Sequence, residues 1–401
     1  MTHGAPLPGG HAFSPSFNSA SSAAQSVSTR GGNTRRRILL AVGGAVVLVL
    51  ACVGVQLAAN LGYDSALASF TAVAQDAEEQ QILLADKLAS LEETTAIASK
   101  VTDAASETLI DAPLKETLTT AVADAETVTS DSASLSQQEL RQPDEKPAWA
   151  WELLGETTQL NADHDNAQQL IEDFESAHSD ASDAAAAVEA AGVTVVVTAA
   201  EASQPFESAH VSARNLDIIA LREAAEQLNE IATIDDAAAS AYVDLETAAA
   251  QMLTSEKAEI AEKAGPLRDA RVEIEEFARS IAPGVLLDFD WSERVNGYGY
   301  GDSMGGYASW WYADPGYATI ELSNSVAVHW PSDRSKSLVA HEVGHTMSVK
   351  CRDMYDDSTQ ENIEAWATAW AISMGYHNIA NGTSAYGAPP QSLIETAAGC
   401  R

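Results

Sequence analysis

From Ile38 to Ala59 the chain carries 22 residues without a charged side chain, "ILLAVGGAVVLVLACVGVQLAA", directly behind Arg35-Arg36-Arg37. No other feature constrains the fold as tightly. As a helix this stretch spans about 33 Å, enough to cross a hydrocarbon core of about 30 Å. In such a core only a helix satisfies its own backbone polar groups. Residues 38–59 therefore read as a transmembrane helix. The arginines on its amino side, Arg30 among them, place residues 1–37 in the cytoplasm and residues 60–401 outside, by the positive-inside rule. A cleaved signal peptide would have a shorter apolar core and a small-residue cleavage site. Cys52, in Val49-Leu50-Ala51-Cys52, loosely resembles the lipidated cysteine of bacterial lipoproteins, but the apolar run continues to Ala59, so the reading is a cysteine facing lipid.

The segments on either side differ sharply. Residues 1–37, rich in Gly, Ser, Ala and Pro and without an acid, are expected to form a disordered cytoplasmic tail. Beyond the span the chain is strongly acidic, and 44 acidic against 12 basic side chains in residues 60–283 account for most of the net charge of -36. That balance excludes a nucleic-acid partner, since phosphate binding needs a basic surface. Residues 60–282 are dominated by Ala, Glu, Asp, Leu, Thr and Ser, with apolar residues at helical spacing. Five to seven antiparallel helices, forming a bundle or stalk, are expected. The breaks should fall near Pro113, at 141–151, near Gly192, at Pro205 and at 264–267. "GVTVVVTAAEA" reads equally as a short strand or a helix. This acidic, Ala-rich domain is a spacer or a surface for a helix-mediated protein partner, and a solvated helical domain is its plainer description.

At Pro283 the composition turns to Gly, Tyr and Trp. The stretches "GVLLDFDW", "YASWWYA", "YATIELSN" and "VAVHW" read as short strands of an antiparallel or mixed sheet. A helix capped by Ser332 or Asp333 follows, running through "RSKSLVAHEVGHTMSVK". The whole chain is thus expected to be mainly α: a transmembrane helix, an extended helical bundle or stalk, then a small α+β domain at 283–401. Cys351 and Cys400, the two cysteines left on the external side, read as a disulfide.

The chemistry sits in His341-Glu342-Val343-Gly344-His345. Histidines one helical turn apart present parallel imidazoles that can hold one Zn²⁺, and the glutamate beside the first reaches a metal-bound water instead of the metal. A third ligand is needed. Ser348 and Cys351 stand where a downstream Gly and His would be required, so the ligand falls to "STQENIEAWATAWAISMG", which offers Glu361 and Glu364. Ser358 with Glu361 makes a capping box, which gives Glu361 a local task. Glu364 is left for the metal, with Thr368 placed to orient a histidine and Gly375 to end the helix. "HEVGH" with "EAWATAWA" downstream resembles the gluzincin branch of the zincin metallopeptidases, the thermolysin-like arrangement. Thr368 departs from that pattern, which has an acid at this position. The resemblance implies peptide hydrolysis in which Glu342 takes a proton from a zinc-activated water, and it gives "YATIELSN" the role of the strand that pairs with substrate. Tyr355, Tyr376 and His377 are the candidate donors to the oxyanion. The alternative is a cell-surface scaffold with a zincin-like terminal domain that binds a partner without turnover. A scaffold has no need of Glu342.

Overall fold

The structure, a computed structural model, describes residues 34–312 and 316–401, with side chains described from Val46 onward. The tail expected at 1–37 therefore lies outside the described residues except for the backbone of Thr34–Arg37, and so does most of the Asp-Pro turn at 313–315. The chain is mainly helical with one small mixed sheet. It divides into two units.

The first unit comprises the described residues up to Phe70 together with Gln142–Ala162. Helix α1 (Thr34–Ala104) runs without a break through Ile38–Ala59, and Val46, Leu48, Leu50, Val53 and Leu57 all lie exposed along it. Past this run α1 acquires a packed face: Ala59, Tyr63, Ala66 and Phe70 are buried, as are Leu153 and Leu160 in the first turns of α3 (Ala150–Ala209). Among the described residues α1 and α3 are both long and apolar enough to cross a membrane. They differ in what covers them. In the apolar stretch of α3 one face, with Val188, Val195, Val196 and Ala199, is buried in a protein core, whereas the described part of the α1 run, from Val46, is almost wholly exposed.

The second unit, Thr71–Arg141 with Asp163–Arg401, holds two hydrophobic clusters. The helical cluster gathers α1, α2 (Ala112–Ala133), α3, α4 (Asn215–Glu226) and α5 (Asp236–Glu262) around Leu84, Leu91, Leu118, Leu221 and Leu245. Pro113 sits in the first turn of α2, where its missing N–H costs nothing. The breaks expected at Gly192 and Pro205 are absent, and α3 passes through both. Gly192 serves close packing, because a Cβ there would lie 2.4 Å from Cδ1 of Ile234. Pro205 falls in the last turns of α3, where few backbone bonds remain to lose. "GVTVVVTAAEA" is helical throughout, its β-branched residues held by tertiary packing.

Helix α6 (Arg268–Ile281) precedes the change in composition at Pro283, yet Ile274, Ala278 and Ala282 belong to the C-terminal cluster. Strands β1 (Leu286–Ser292), β2 (Gly306–Trp311) and β3 (Tyr317–Ser323) form a sheet of order β1-β3-β2, with β1 parallel and β2 antiparallel to β3. "VAVHW" is not a fourth strand. Asn324–Val328 forms the short helix α7, which buries Val326 and Ala327 directly after β3. One face of the sheet, with Leu287, Phe289, Ala308, Ala318 and Ile320, packs in one cluster with Val339, Val343 and Met347 of α8 (Asp333–Thr346). The same cluster takes in Trp366, Ala369 and Trp370 of α10 (Gln360–Ser373). The expected long helix from Ser332 stops at Thr346 and resumes as the single turn α9 (Ser348–Cys351). Two more short helices, α11 (Thr383–Tyr386) and α12 (Gln391–Ala397), close the chain. A disulfide joins Cys351 to Cys400 over a separation of 49 residues. Closing such a loop contributes on the order of 4 kcal/mol.

A buried charge network joins α4 and α5 to α6 and β1. The Lys263 ammonium lies 3.5 Å from Glu259 and 3.3 Å from Glu275, and all three residues are almost fully buried. Glu275 also accepts from Trp291 Nε1 and pairs with Arg279. Arg214 binds Glu259 and Asp290, while the Asn215 backbone N–H donates to Asp288 at 2.8 Å. Burial raises the Asp288 carboxyl to about 7, against the Asn215 hydrogen bond and the Arg214 charge, with Glu259 and Asp290 adding to the rise. A carboxyl with a higher pKa in the fold binds more protons folded than unfolded, so its contribution to stability falls as pH climbs from about 4 to about 7. Asp288→Asn removes that penalty and keeps an oxygen to accept from Asn215. Measured by thermal melting, the variant should gain on the parent between about pH 5 and about pH 8. A difference independent of pH would show that Asp288 ionises alike in the folded and unfolded chain.

Candidate metal centre

Three side chains from two helices meet at one buried point. Ser332 caps α8 by accepting from the Ser335 N–H, and the helix carries His341, Glu342 and His345 inward. Helix α10 begins one residue later than its sequence suggests. Thr359, not Ser358, accepts from the Asn362 N–H, so the expected Ser358–Glu361 capping box does not form, and Glu361 is exposed. Glu364, one turn further in, is buried against α8. Its Oε2 lies 3.1 Å from Nε2 of His341 and 3.2 Å from Nε2 of His345. These three residues form a group that could hold a metal ion, with their ligand atoms all within 4.8 Å of one another.

The donor set fits zinc. Metal–ligand bonds of about 2.0–2.1 Å at tetrahedral angles put neighbouring ligand atoms about 3.3 Å apart. The two histidine–carboxylate distances here come close to that. The His341 imidazole is also held in place by its neighbours. Thr368 donates its hydroxyl to the Glu364 carbonyl at 2.8 Å and lies 3.4 Å from Nδ1 of His341, which also hydrogen-bonds the backbone of Asn381. With Nδ1 engaged in this way, Nε2 of His341 faces Glu364 and, once deprotonated, would turn its lone pair to a bound cation. The His345 ring stacks on Trp310 of β2 at 5.9 Å between centroids, and its Nδ1 is buried without a partner.

Electrostatics separate the two carboxylates. Glu364 is buried, which opposes its charge, but the hydrogen bonds from His341 and His345 prevail and hold it well below the usual carboxylate range. Burial likewise opposes protonation of His341, yet Glu364 and Glu342 leave it raised, whereas burial prevails at His345 and lowers it. Glu342 receives no comparable hydrogen bonds. Burial pushes its carboxyl up to about 7, with Glu364 adding to the rise and His341 opposing it. Its side chain lies against Gly306 of β2, where a Cβ would come within 2.4 Å of its Cγ.

The three expected oxyanion donors are placed on other partners. The Tyr355 hydroxyl donates to Ser348 and its ring stacks on Trp366. The Tyr376 ring stands edge-on to Phe277, and His377 is exposed. A tyrosine that the sequence did not single out, Tyr386, stacks over His341 at 5.9 Å, and its hydroxyl interacts with Glu364. Burial and the nearby Glu364 and Glu342 charges raise its pKa. The loop that brings it there depends on Gly382, whose φ is 98° and whose Cβ would lie 2.2 Å from Thr368 Oγ1. Asn381 belongs to the same clip. It matches a glycosylation sequon, but it is buried and donates its amide to the Tyr376 carbonyl.

The sheet corrects one implication of the zincin resemblance. "YATIELSN" forms β3, the central strand, whose two edges are taken by β1 and β2. The outer strand beside α8 is β2, which bears Gly306 and Trp310 and has an edge unpaired among the described residues. No protein-family model, no curated protein and no solved structure matches this chain.

Purified protein should carry about one zinc per chain by elemental analysis, and Glu364→Ala should carry markedly less. Full retention by that variant would remove Glu364 from the ligand set. The crossing of the two helices gives a second test. A Cβ on Gly344 would lie 2.7 Å from the Ala367 carbonyl oxygen and 2.9 Å from its Cα. Gly344→Ala, a favourable change in an isolated helix, should therefore cost about 1–3 kcal/mol in thermal unfolding and weaken zinc retention against a chelator. A rise in melting temperature would contradict the close crossing.

Proposed function

We propose that this chain is a gluzincin-like zinc metallopeptidase, anchored in a membrane by α1 and facing away from the cytoplasm. The reading is carried by the convergence of His341, His345 and Glu364 at one buried point, with Glu342 beside the two histidines on α8. Bound Zn²⁺ supplies a lowered water pKa and a Lewis acid for the carbonyl oxygen of a peptide. Groups of the chain itself do the rest. The Asn381 backbone and Thr368 orient His341, Trp310 backs His345, and Glu342 takes a proton from the attacking water and returns it to the leaving amine. Tyr386, stacked over His341, is the group best placed to donate to the developing oxyanion. The free edge of β2 offers backbone donors and acceptors with which an extended peptide substrate could pair. A disulfide close to the site suits an oxidising compartment, which supports the external placement.

Glu342→Gln provides the test, because it keeps the shape and the metal ligands while removing the base. With zinc content unchanged, hydrolysis of a mixed set of fluorogenic peptides should fall by about 10²–10⁴. Undiminished hydrolysis in that variant would overturn the scheme. A zinc-loaded parent that cleaves none of the peptides, nor proteins of the same membrane surface, would leave a metal-binding scaffold in its place.

A further inference from the structure

At the outer end of the apolar run of α1, the chain turns over a pair of exposed tryptophans for which the peptidase reading has no use. We propose that Trp149 and Trp151 form an interfacial anchor seated in the headgroup layer of the bilayer that α1 crosses. The inference rests on α1 being a membrane span and is independent of the metal centre.

Depth is set by the helix. Gln56 lies 18 residues beyond Ile38, about 27 Å along the axis and so near the far edge of a core of about 30 Å. Its side-chain amide donates to the Ala148 carbonyl at 3.0 Å, fixing the segment "KPAWAW" at that level. One turn further along α1, Asn60 donates back to the Gln56 carbonyl at 2.8 Å. Lys146 marks the level above, pairing with Asp64 at 2.6 Å while its ammonium lies 5.3 Å from the centroid of the Tyr63 ring. Between Lys146 and Ala148 the chain therefore descends along α1, from its first charged residue after the span to the end of its apolar run. Helix α3 starts at Ala150, so Trp149 and Trp151 sit at the bottom of the turn.

The two indoles stack with centroids 5.3 Å apart and planes 5° from parallel, yet they are 57% and 67% exposed. Leu154, one helical turn after Trp151, and Leu61 of α1 are exposed as well. In water such a patch is a liability. At a headgroup layer it is favourable, since an indole has an apolar face for the acyl chains and an N–H for the polar zone, the reason for aromatic belts at membrane surfaces. Continuity with the bare apolar run of α1 selects lipid over a protein partner as what covers the pair.

The test uses the full chain reconstituted in phosphatidylcholine vesicles that carry a nitroxide lipid, labelled either near the headgroup or near the end of the acyl chain. Trp149 and Trp151 are two of eight tryptophans, and the other six all lie between residues 291 and 370. The shallow label should quench up to about a quarter of the emission and the deep label much less. The Trp149→Phe/Trp151→Phe variant should lose that quenched fraction. Equal shallow quenching in parent and variant, or none in a parent that resists alkaline carbonate extraction, would overturn the anchor and leave the span standing. Shielding of the pair from aqueous acrylamide without lipid quenching would put a protein there and overturn it too. Extraction of the chain by carbonate would remove the span itself and the anchor with it.

Discussion

The meeting of His341, His345 and Glu364 depends on one contact without side chains. At Gly344 helix α8 presses its backbone against Ala367 of α10, and any side chain there would strike the Ala367 carbonyl. Because the crossing is this close, Glu364, three residues before Ala367, comes within hydrogen-bond distance of both His341 and His345. A wider crossing would leave two histidines and a glutamate on neighbouring helices with no shared point. The glycine inside HEVGH is thus a requirement of the packing, and the large residues around it, Trp366 and Trp370, fill the space beside the crossing.

Around that crossing the remaining elements act as clamps of different chemistry. The sheet covers α8 with apolar side chains and delivers Gly306 to Glu342 and Trp310 to His345. The disulfide ties the end of the chain back beside α9, and Cys400 also accepts a hydrogen bond from Trp370 through its carbonyl, so the covalent link and the core of α10 reinforce each other. On the far side, Lys263, Glu259, Glu275 and Arg214 hold α4, α5, α6 and β1 together. Charges as buried as Lys263, Glu259 and Glu275 are costly unless every partner is in place. That requirement suits a junction between two hydrophobic clusters, where apolar contacts alone would permit sliding.

What the sequence disclosed follows from which forces are local. The uncharged run, the helical pattern, the first three strands, the grouping of His341, His345 and Glu364, and the disulfide all rest on periodicity, spacing or chemistry that the chain displays directly. The misread parts rest on contacts between distant residues. Gly192 looks like a break until Ile234 is seen against it, and "VAVHW" has the composition of a strand but follows a β3 that already has a partner on each side. The helix start moved from Ser358 to Thr359 because two adjacent hydroxyl residues can serve equally well as caps, so the Glu361 half of the capping box lost its partner. Tyr386 was illegible for the same reason. Only the positive φ of Gly382 and the fit of its bare Cα against Thr368 carry the C-terminal loop over His341, and neither leaves a pattern in the residues themselves.

Electrostatics separate the two carboxylates that meet beside the histidines. Both Glu342 and Glu364 are buried, and burial alone would push both toward the neutral acid. Only Glu364 receives two imidazoles and the side-chain amide of Gln360, and it remains an anion suited to binding a cation. Glu342, left to desolvation, sits near neutrality in the range where a group both accepts and releases a proton with little loss. A divalent cation at the triad would add a positive potential beside Glu342 and shift it toward the carboxylate. Two glutamates of the same chemical type are thus set apart, Glu364 as an anion and Glu342 as a carboxyl raised by burial, through their hydrogen-bond partners, and those partners are set by the crossing at Gly344.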